Sequence, residues 1–214
     1  MCGIVGLLLK KPELYSQLGE LMVPMLIGMH DRGPDSAGMA VFGQPLPEGQ
    51  RKISLYSGLT EAGAGYDWVA LVDALNAELK VKAHIQTKGN HAIFTFEGPA
   101  DPVKAFIKAF EDKLHILSTG RRIDLYKDIG TPAQVAERYD FSKLVGSHLV
   151  GHTRMATESA VTPDRAHPFT AGEDFCLVHN GSLSNPNGIR RMLEPRGIKF
   201  ETDNDTEAAC RFLE

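Results

Sequence analysis

The chain has 214 residues, 43% of them hydrophobic and 23% charged, with a net charge of -4. This composition is typical of a globular protein, and its slight acidity gives no reason to expect nucleic acid or an anionic membrane as a partner. No apolar run approaches the roughly 20 residues that span a bilayer. Three widely spaced cysteines argue against a disulfide framework and favour a reducing cytoplasm. Because no Cys-x-x-Cys or His-x-x-x-His pair suggests a metal site, we expect neither a metal nor a cofactor.

The second residue of the chain is a candidate catalytic nucleophile. Cys2 directly follows Met1, and a cysteine is small enough for that methionine to be removed. The chain would then begin with a thiol and a free amine on one residue, and both groups titrate near neutral pH. The amine can take the proton of the thiol, so Cys2 could serve as nucleophile and base together. The alternative is that Cys2 follows Met1 by chance and residues 4–9 are simply a buried strand.

The elements up to residue 49 follow from spacing and turn composition. Apolar residues at helical intervals predict a helix over 18–29, and Pro24 should kink this helix or begin its second half. A turn at 31–36 and a strand at 40–42 follow, and a Pro-rich loop at 44–49 closes this part.

The next part, residues 50–130, has the pattern of an inserted module. Its order is β-α-β-β-α-β, the split β-α-β arrangement of a ferredoxin-like fold. We predict strands at 52–57, 81–87, 92–96 and 123–126, a short extra strand at 115–117, and helices at 67–79 and 101–113. Asp67 would cap the first helix. A structureless loop of this length inside a compact domain would be unusual.

We expect this module to form its own sheet with both helices on one side. Its function would be to dock a partner subunit or to brace the domain. The competing view is that its strands extend the main sandwich. Its charged side chains favour solvated faces over ligands; these are Glu97, Lys104, Lys108, Arg121 and Arg122.

The last part resumes the main domain. It contains a predicted helix at 132–139, core strands at 145–152 and 175–179, and a short helix at 189–194 that ends near Gly197. A last helix begins at Thr206, capped by Asp203 or Asp205, and is still running at residue 214. A domain rarely ends inside such a pattern, so we expect the chain to be C-terminally incomplete.

Four separated segments hold the groups that acyl transfer from an amide needs. The first is Cys2. The second places Arg154 and Thr157 just past a strand end, where they could bind a carboxylate. The third is Asn180 with Gly181, which could offer a side-chain amide and a backbone N–H to one oxyanion.

The fourth segment is the acidic stretch at 201–207, which could receive an ammonium group. Each segment also has a structural interpretation. Arg154 could form a surface ion pair, Asn180 and Gly181 could make a turn, and an aspartate could cap a helix. Three histidines, more often structural than catalytic, receive no general-base role here; they are His152, His167 and His179.

Taken together, the segments form an ordered set of short motifs: CGIVG at 2–6, RGPDSAG at 32–38, HTRMAT at 152–157, AHP at 166–168, HNG at 179–181 and DTE at 205–207. The set resembles the class II glutamine amidotransferase domain of the N-terminal-nucleophile hydrolases. The likeness covers roughly residues 1–43 and 145–214. Within that family the chain is most similar to the stand-alone glutaminase subunits of glutamate synthase-like and N-methylglutamate synthase-like complexes.

The resemblance implies an α+β fold. It would be a four-layer αββα sandwich over residues 1–214, interrupted by the ferredoxin-like module at 50–130. By motif position, Cys2 would be the nucleophile, with Asn180 and Gly181 as the oxyanion hole. The remaining matched residues would hold the substrate: Arg154 and Thr157 the α-carboxylate of glutamine, Asp205 its α-ammonium, and Arg32 the pocket around them.

The implied function is the glutaminase half of an amidotransferase. Such a protein hydrolyses L-glutamine to glutamate and delivers ammonia to a synthase subunit in the cytoplasm. Two other functions stay open, a non-catalytic regulatory or assembly subunit and a different amidase such as an acylase. A carboxylate-and-ammonium clamp from Arg154 and Asp205 suits a free amino acid and so favours glutamine.

The chain departs from the family pattern in three respects. Relatives continue well past the DTE motif, so we expect the sandwich here to lack its last strands and helix. Met155 stands where some relatives carry an aromatic residue, and the insertion is longer than sugar-synthesising relatives need. The sequence leaves open the ammonia acceptor, the partner subunits, any oligomeric state and whether Met1 is removed.

Overall fold

The computed structural model describes residues 2–58, 65–155 and 162–214 and has a mixed α+β architecture. Its strands are β1 (Gly3–Leu8), β2 (Ser36–Phe42), β3 (Gln50–Tyr56), β4 (His84–Lys88), β5 (His91–Glu97), β6 (His115–Gly120), β7 (Ile123–Ile129), β8 (His148–Arg154), β9 (Phe169–Thr170) and β10 (Cys176–Leu177). Its α-helices are α1 (Leu18–Ile27), α2 (Trp68–Leu79), α3 (Ala100–Phe110), α4 (Pro132–Arg138), α5 (Pro186–Leu193) and α6 (Asp205–Leu213).

The first sheet has the strand order β1-β8-β2-β7 and is antiparallel throughout. Helix α1 covers one face of it because Leu18, Met22 and Leu26 recur every four residues and are fully buried. Helix α4 packs against the same apolar cluster through Val135 and Ala136. Strand β2 is buried along its whole length, as a central strand of a covered sheet should be.

The second sheet has the order β4-β5-β3-β6, again with antiparallel neighbours. Helices α2 and α3 share one apolar cluster with this sheet, built around Leu71, Ile107 and Phe94. Asp67 caps α2, as predicted, by accepting the Ala70 N–H at 3.0 Å. The four strands of this sheet pair with one another and not with β1 or β8.

The predicted strand at 123–126 belongs to the first sheet, so its placement in the module is wrong. It is part of β7, which pairs with β2 from Ser36↔Ile129 to Phe42↔Ile123. The fourth strand of the second sheet is β6 instead. Two residues, Arg121 and Arg122, separate β6 from β7, and such a short link gives no sequence signal that the chain changes sheets there.

Strand β7 is an edge strand whose outward N–H groups are paired with side chains. Three of the acceptors come from other parts of the chain: Ile123 donates to Asp174 at 3.0 Å, Leu125 to Ser54 at 3.0 Å and Lys127 to His91 at 3.4 Å. The fourth is on β7 itself, where Ile129 donates to Asp128 at 2.8 Å. An uncovered edge would invite pairing with another chain. The second sheet, through Ser54 and His91, therefore helps to close the edge of the first.

A small third sheet pairs β9 with β10 in the last part of the chain. The strand predicted at 175–179 is therefore only two residues long. Gly197 has a φ of +85° and ends the turn after α5, as expected. Asn204, not Asp203 or Asp205, caps α6 by accepting the Thr206 N–H at 2.8 Å. Within the described ranges, no helix is long and apolar enough to cross a membrane.

Some charged side chains of the module region make defined contacts and are not simply solvated. Lys108 forms an ion pair with Glu201 at 2.7 Å. Arg121 donates to the carbonyl of Leu46, and its backbone N–H donates to Asp174. These contacts tie the region to the flanking loops.

His91 is a neutral ring with a defined tautomer. It is fully buried, and its Nε2 accepts the Lys127 N–H. Its Nδ1 must then carry the proton, which it donates to Asn90 Oδ1 at 2.8 Å. Burial lowers the pKa of His91 from 6.5 to about 3. Protonation of Nε2 would place two N–H groups against each other.

This geometry predicts that the folded protein loses stability as the pH falls. As pH falls from 6.5 toward 3, the unfolded chain binds a proton at His91 that the folded chain does not, so stability is lost at about 1.4 kcal/mol per pH unit. His91→Gln can still accept from Lys127 but does not titrate. We expect its loss of unfolding free energy between pH 7 and pH 5 to be smaller than that of the wild type by roughly 2 kcal/mol. Urea denaturation at both pH values measures this, and equal losses would contradict the assignment.

Candidate functional site

The first residue of β1 and the last residues of β8 lie side by side. Gly3 pairs with Thr153 in the antiparallel ladder, so the next position outward brings Cys2 beside Arg154. Arg154 in turn pairs with Ser36, the first residue of β2. The register therefore gathers the predicted nucleophile and the predicted carboxylate-binding cation at one end of the sheet.

Cys2 is held through its backbone carbonyl. The side-chain amide of Asn180 donates to this oxygen at 2.8 Å, and Arg32 Nε donates to it at 3.3 Å. The two donors lie 178 and 30 positions further along the chain. The thiol of Cys2 is free and half-buried. Three of the predicted site residues thus meet at one backbone group.

Glycines permit the close approach of these segments. A Cβ on Gly3 would lie 2.7 Å from Thr153 Oγ1. A Cβ on Gly33 would lie 2.4 Å from the backbone carbonyl carbon of Thr153 and 2.6 Å from the backbone nitrogen of Arg154. Backbone cannot move aside as a flexible side chain can. The loop that carries Arg32 can therefore lie against β8 only if position 33 has no side chain.

Arg154 is only 6% exposed, so its interpretation as a surface ion pair is wrong. A buried guanidinium is costly unless its donors are paired, and its planar fork suits a carboxylate. The other residue predicted to bind the carboxylate, Thr157, falls in 156–161, outside the residues that the structure describes.

Asp205 contacts the loop that carries Asn180 and Gly181. Its Oδ2 accepts the backbone N–H of Leu183 at 2.8 Å, and its Oδ1 lies 4.0 Å from His179 Nδ1. Asn180 and Gly181 are both exposed. One loop therefore joins the predicted oxyanion donors to the predicted ammonium-binding carboxylate.

Glu207 is a residue whose role the sequence reasoning missed. It is 3% exposed, and its carboxylate accepts from Glu201 N at 2.8 Å and from both Thr202 N and Thr202 Oγ1 at 2.7 Å. These bonds fix the loop that leads into α6, and with it the first residue of the helix, Asp205. The available sequence signal was its place in the DTE motif.

Two stacked histidines lie beside the loop that carries His179 and Asn180. His152 and His167 are 1% and 6% exposed, and their ring centroids are 4.1 Å apart. His152 Nε2 donates to the carbonyl of His179 at 3.2 Å. Burial lowers the pKa of His152 to about 4 and holds that of His167 well below its usual value, with the charge of Arg154 acting in the same direction. Both rings are therefore neutral at physiological pH.

A cleft of about 240 Å³ lies elsewhere, between α3, β6 and the C-terminal end of α6. Its described lining includes charged residues such as Lys104, Lys108 and Arg211, and Glu201 of the acidic stretch. It includes none of Cys2, Arg32, Arg154, Asn180, Gly181 and Asp205. Among the described residues, those that the resemblance assigns to the site therefore lie outside this cleft.

Comparison with known proteins agrees with the motifs. A family model described as a glutamine amidotransferase domain matches residues 152–214. The whole chain is 48% identical over 215 aligned residues to the glutamine amidotransferase-like protein GlxB of Rhizobium meliloti (strain 1021), covering 69% of that protein. It is 34% identical over 222 residues to a Methanothermobacter thermautotrophicus protein that is provisionally named a glutamine amidotransferase, covering 72% of it.

A more distant similarity covers part of the chain. Over 104 residues, or 48% of the chain, it is 31% identical to the glutamine–fructose-6-phosphate aminotransferase (isomerizing) of Methanococcus maripaludis. The matched region is 17% of that larger protein.

Two glycine-to-alanine variants test how closely the Arg32 loop approaches β8. Gly33→Ala forces a Cβ against the backbone of β8, and we expect it to lower the unfolding free energy by about 1–3 kcal/mol, as overpacking does. Gly6→Ala is the control, because its Cβ would meet only Leu149 O at 3.8 Å, an ordinary contact. Its effect should stay within about 0.5 kcal/mol. Equal losses in urea denaturation would show that the approach of the Arg32 loop to β8 is not tight.

Proposed function

This chain belongs to the glutamine amidotransferase family, and from that premise we propose that it is a class II glutaminase that hydrolyses L-glutamine through a thioester on Cys2 and supplies ammonia to a synthase partner. The observation that carries the proposal is the meeting of Asn180 and Arg32 on the carbonyl of Cys2. Segments far apart in sequence converge on the one residue that can unite a thiol and a free amine.

The first half of the reaction is acyl transfer to sulfur. Removal of Met1 frees the α-amine of Cys2, which takes the thiol proton, directly or through one water. The thiolate attacks the γ-amide carbon of glutamine and forms a tetrahedral oxyanion. When the C–N bond breaks, the amine returns its proton to the leaving nitrogen, and ammonia departs. A γ-glutamyl thioester remains on Cys2, and water hydrolyses it to glutamate with release of the thiol.

Asn180 can stabilise the oxyanion without leaving Cys2. A side-chain amide has two N–H donors, and one of them is used on the Cys2 carbonyl at 2.8 Å. The second is available for the oxyanion, together with the exposed backbone N–H of Gly181. One such donor contributes about 2.7–4 kcal/mol of transition-state stabilisation. Arg32, by holding the same carbonyl, keeps Cys2 in place during both steps.

The substrate would be oriented by its two charged groups. Arg154, beside Cys2 in the register, would bind the α-carboxylate in a bidentate manner. Asp205 accepts the Leu183 N–H at Oδ2, and its Oδ1 would receive the α-ammonium. Thr157 would add a hydrogen bond to the carboxylate. A free amino acid fits this pair of charges better than a peptide or an acylated amine does.

The finer fold assignment is also a proposal. We take the β1-β8-β2-β7 sheet as one of the two central sheets of an αββα sandwich, and β3 to β6 with α2 and α3 as a ferredoxin-like inserted module. The antiparallel order β4-β5-β3-β6 supports this, since two split β-α-β units produce it. The side chains that the module places on β7 favour a bracing role, which leaves its outer surface for a synthase partner.

The biological placement follows from the same resemblance. We propose that the protein works as a stand-alone glutaminase subunit of a glutamate synthase-like complex in the cytoplasm. Its described cysteines are all free thiols, which suits a reducing compartment.

Cys2→Ser tests the thioester. We expect it to lose at least about 99% of glutamine hydrolysis, because a hydroxyl is far less ionised than a thiol at neutral pH. Glutamate release by protein whose N-terminus has been verified by mass spectrometry measures this.

Cys176→Ser is the matched control, because burial raises the pKa of that thiol to about 11 and keeps it unreactive. It should keep its activity. Wild-type turnover in Cys2→Ser would remove Cys2 from the mechanism and favour a different amidase. Full turnover in protein that retains Met1 would exclude the Cys2 amine as the base. No turnover in wild-type protein that lacks Met1 would favour a non-catalytic subunit.

Arg154→Lys and Asp205→Asn test the clamp. A point charge cannot reproduce a planar fork, so Arg154→Lys should raise KM for glutamine about ten-fold or more. Asp205→Asn removes the charge that attracts the ammonium and should raise KM similarly. Alkylation of Cys2 by iodoacetamide should continue at the wild-type rate in both, since the thiol is untouched. Unchanged KM values would exclude these residues from the substrate site.

A further inference from the structure

The hydroxyl of Thr206 joins three segments of the site. Thr206 is 1% exposed, and its Oγ1 lies 2.9 Å from His167 Nε2, 3.3 Å from His179 Nδ1 and 3.4 Å from Asp205 Oδ1. These partners belong to the 162–170 segment, the loop with Asn180 and the start of α6. A single buried hydroxyl therefore lies at the centre of a junction that neither the motifs nor the glutaminase chemistry assigns a role.

The directions of these bonds can be worked out from His167. Its Nδ1 is buried and has no hydrogen-bond partner in the part of the chain that the structure describes. A buried N–H without an acceptor is rarer and more costly than an unused lone pair. The proton of the ring therefore sits on Nε2 and is donated to Thr206 Oγ1. The hydroxyl hydrogen is then left to point toward His179 Nδ1 and Asp205 Oδ1, on the substrate side.

The donor ring is held firmly. The buried ammonium of Lys127 donates to the backbone carbonyls on both sides of His167, those of Ala166 at 2.8 Å and Pro168 at 3.4 Å, and to that of Asp164 at 3.0 Å. One face of the His167 ring stacks on the ring of His152. Because His167 cannot easily turn, it sets the direction in which Thr206 donates.

We propose that the Thr206 hydroxyl is a positioning group that holds Asp205 and the 179–183 loop in the arrangement that binds substrate. The proposal rests on the glutaminase function proposed above. Without the hydroxyl, the His167 N–H loses its acceptor, and Asp205 and His179 lose the donor that they share. Substrate binding would weaken, whereas the thiol of Cys2, which Thr206 does not contact, would keep its reactivity.

Steady-state kinetics of glutamine hydrolysis test this. Thr206→Val keeps the shape and removes the hydroxyl, and Thr206→Ala removes it without a replacement methyl. Both should raise KM about ten-fold while kcat changes by less than about three-fold, the effect of losing a hydrogen bond to a charged group. Thr206→Ser restores the hydroxyl and should recover most of the loss.

Thr131→Val is the matched control for a lost threonine hydroxyl. Thr131 caps α4 by accepting the Gln134 N–H at 3.3 Å, away from the site. Its removal should lower the melting temperature and leave KM unchanged. An unchanged KM in Thr206→Val and Thr206→Ala, an equal rise in Thr206→Ser, or the same rise in Thr131→Val would overturn the proposal.

A second readout separates this proposal from the glutaminase function. If the wild type does not hydrolyse glutamine, the proposed function has failed. The hydrogen bond between His167 and the Thr206 hydroxyl is then tested by ¹⁵N NMR of the histidine rings. We expect a protonated Nε2 on His167 in the wild type and Thr206→Ser, with the same resonance position in both. In Thr206→Val the Nε2–H loses its acceptor, and its resonance should move. The same resonance position in all three proteins would overturn the role of the hydroxyl.

Discussion

The antiparallel pairing of β1 with β8 is the constraint on which the rest of the site depends. With Gly3 opposite Thr153, Cys2 comes to lie beside Arg154. Side chains alternate between the two faces of a strand, so a slip of one residue would turn Cys2 to the wrong face and move it away from the guanidinium. The close contact at Gly3 opposes such a slip, because a residue with a side chain would collide with Thr153 there.

Buried polar groups fix the positions of loops and side chains that strand pairing alone does not determine. The neutral rings of His91, His152 and His167 each make directional hydrogen bonds in places that water does not reach. Directional bonds of this kind favour one arrangement, and they make the fold sensitive to acid because each ring must stay neutral. The same principle operates at the edge of the first sheet, where His91 accepts a β7 amide and so links the stability of the second sheet to that of the first.

Much of this arrangement could be predicted from the sequence, and the failures have physical causes. The Asp67 cap, the turn at Gly197 and the family motifs depend on local chemistry, which a sequence displays directly. The cap of α6 was misassigned because Asp203, Asn204 and Asp205 are all good capping residues and the choice depends on contacts at longer range.

Long-range contacts account for the other differences. The pattern of β7 indicates a strand but does not name its partner, and its partner is β2 of the first sheet. Likewise, arginine is usually a surface residue, and Arg154 is buried at the end of β8, which lies between β1 and β2. The junction at Thr206 brings together residues up to 39 positions apart, which no local pattern could indicate.

A crystal structure of the protein with Met1 removed, grown with L-glutamate, the product of the proposed reaction, tests the proposed site directly. The proposed site predicts that the γ-carboxylate lies against the Cys2 thiol within reach of Asn180 and Gly181. It also predicts that the α-carboxylate lies on Arg154 and the α-ammonium on Asp205. Glutamate bound instead in the cleft between α3, β6 and α6, or reversed so that its α-carboxylate faces Cys2, would contradict it.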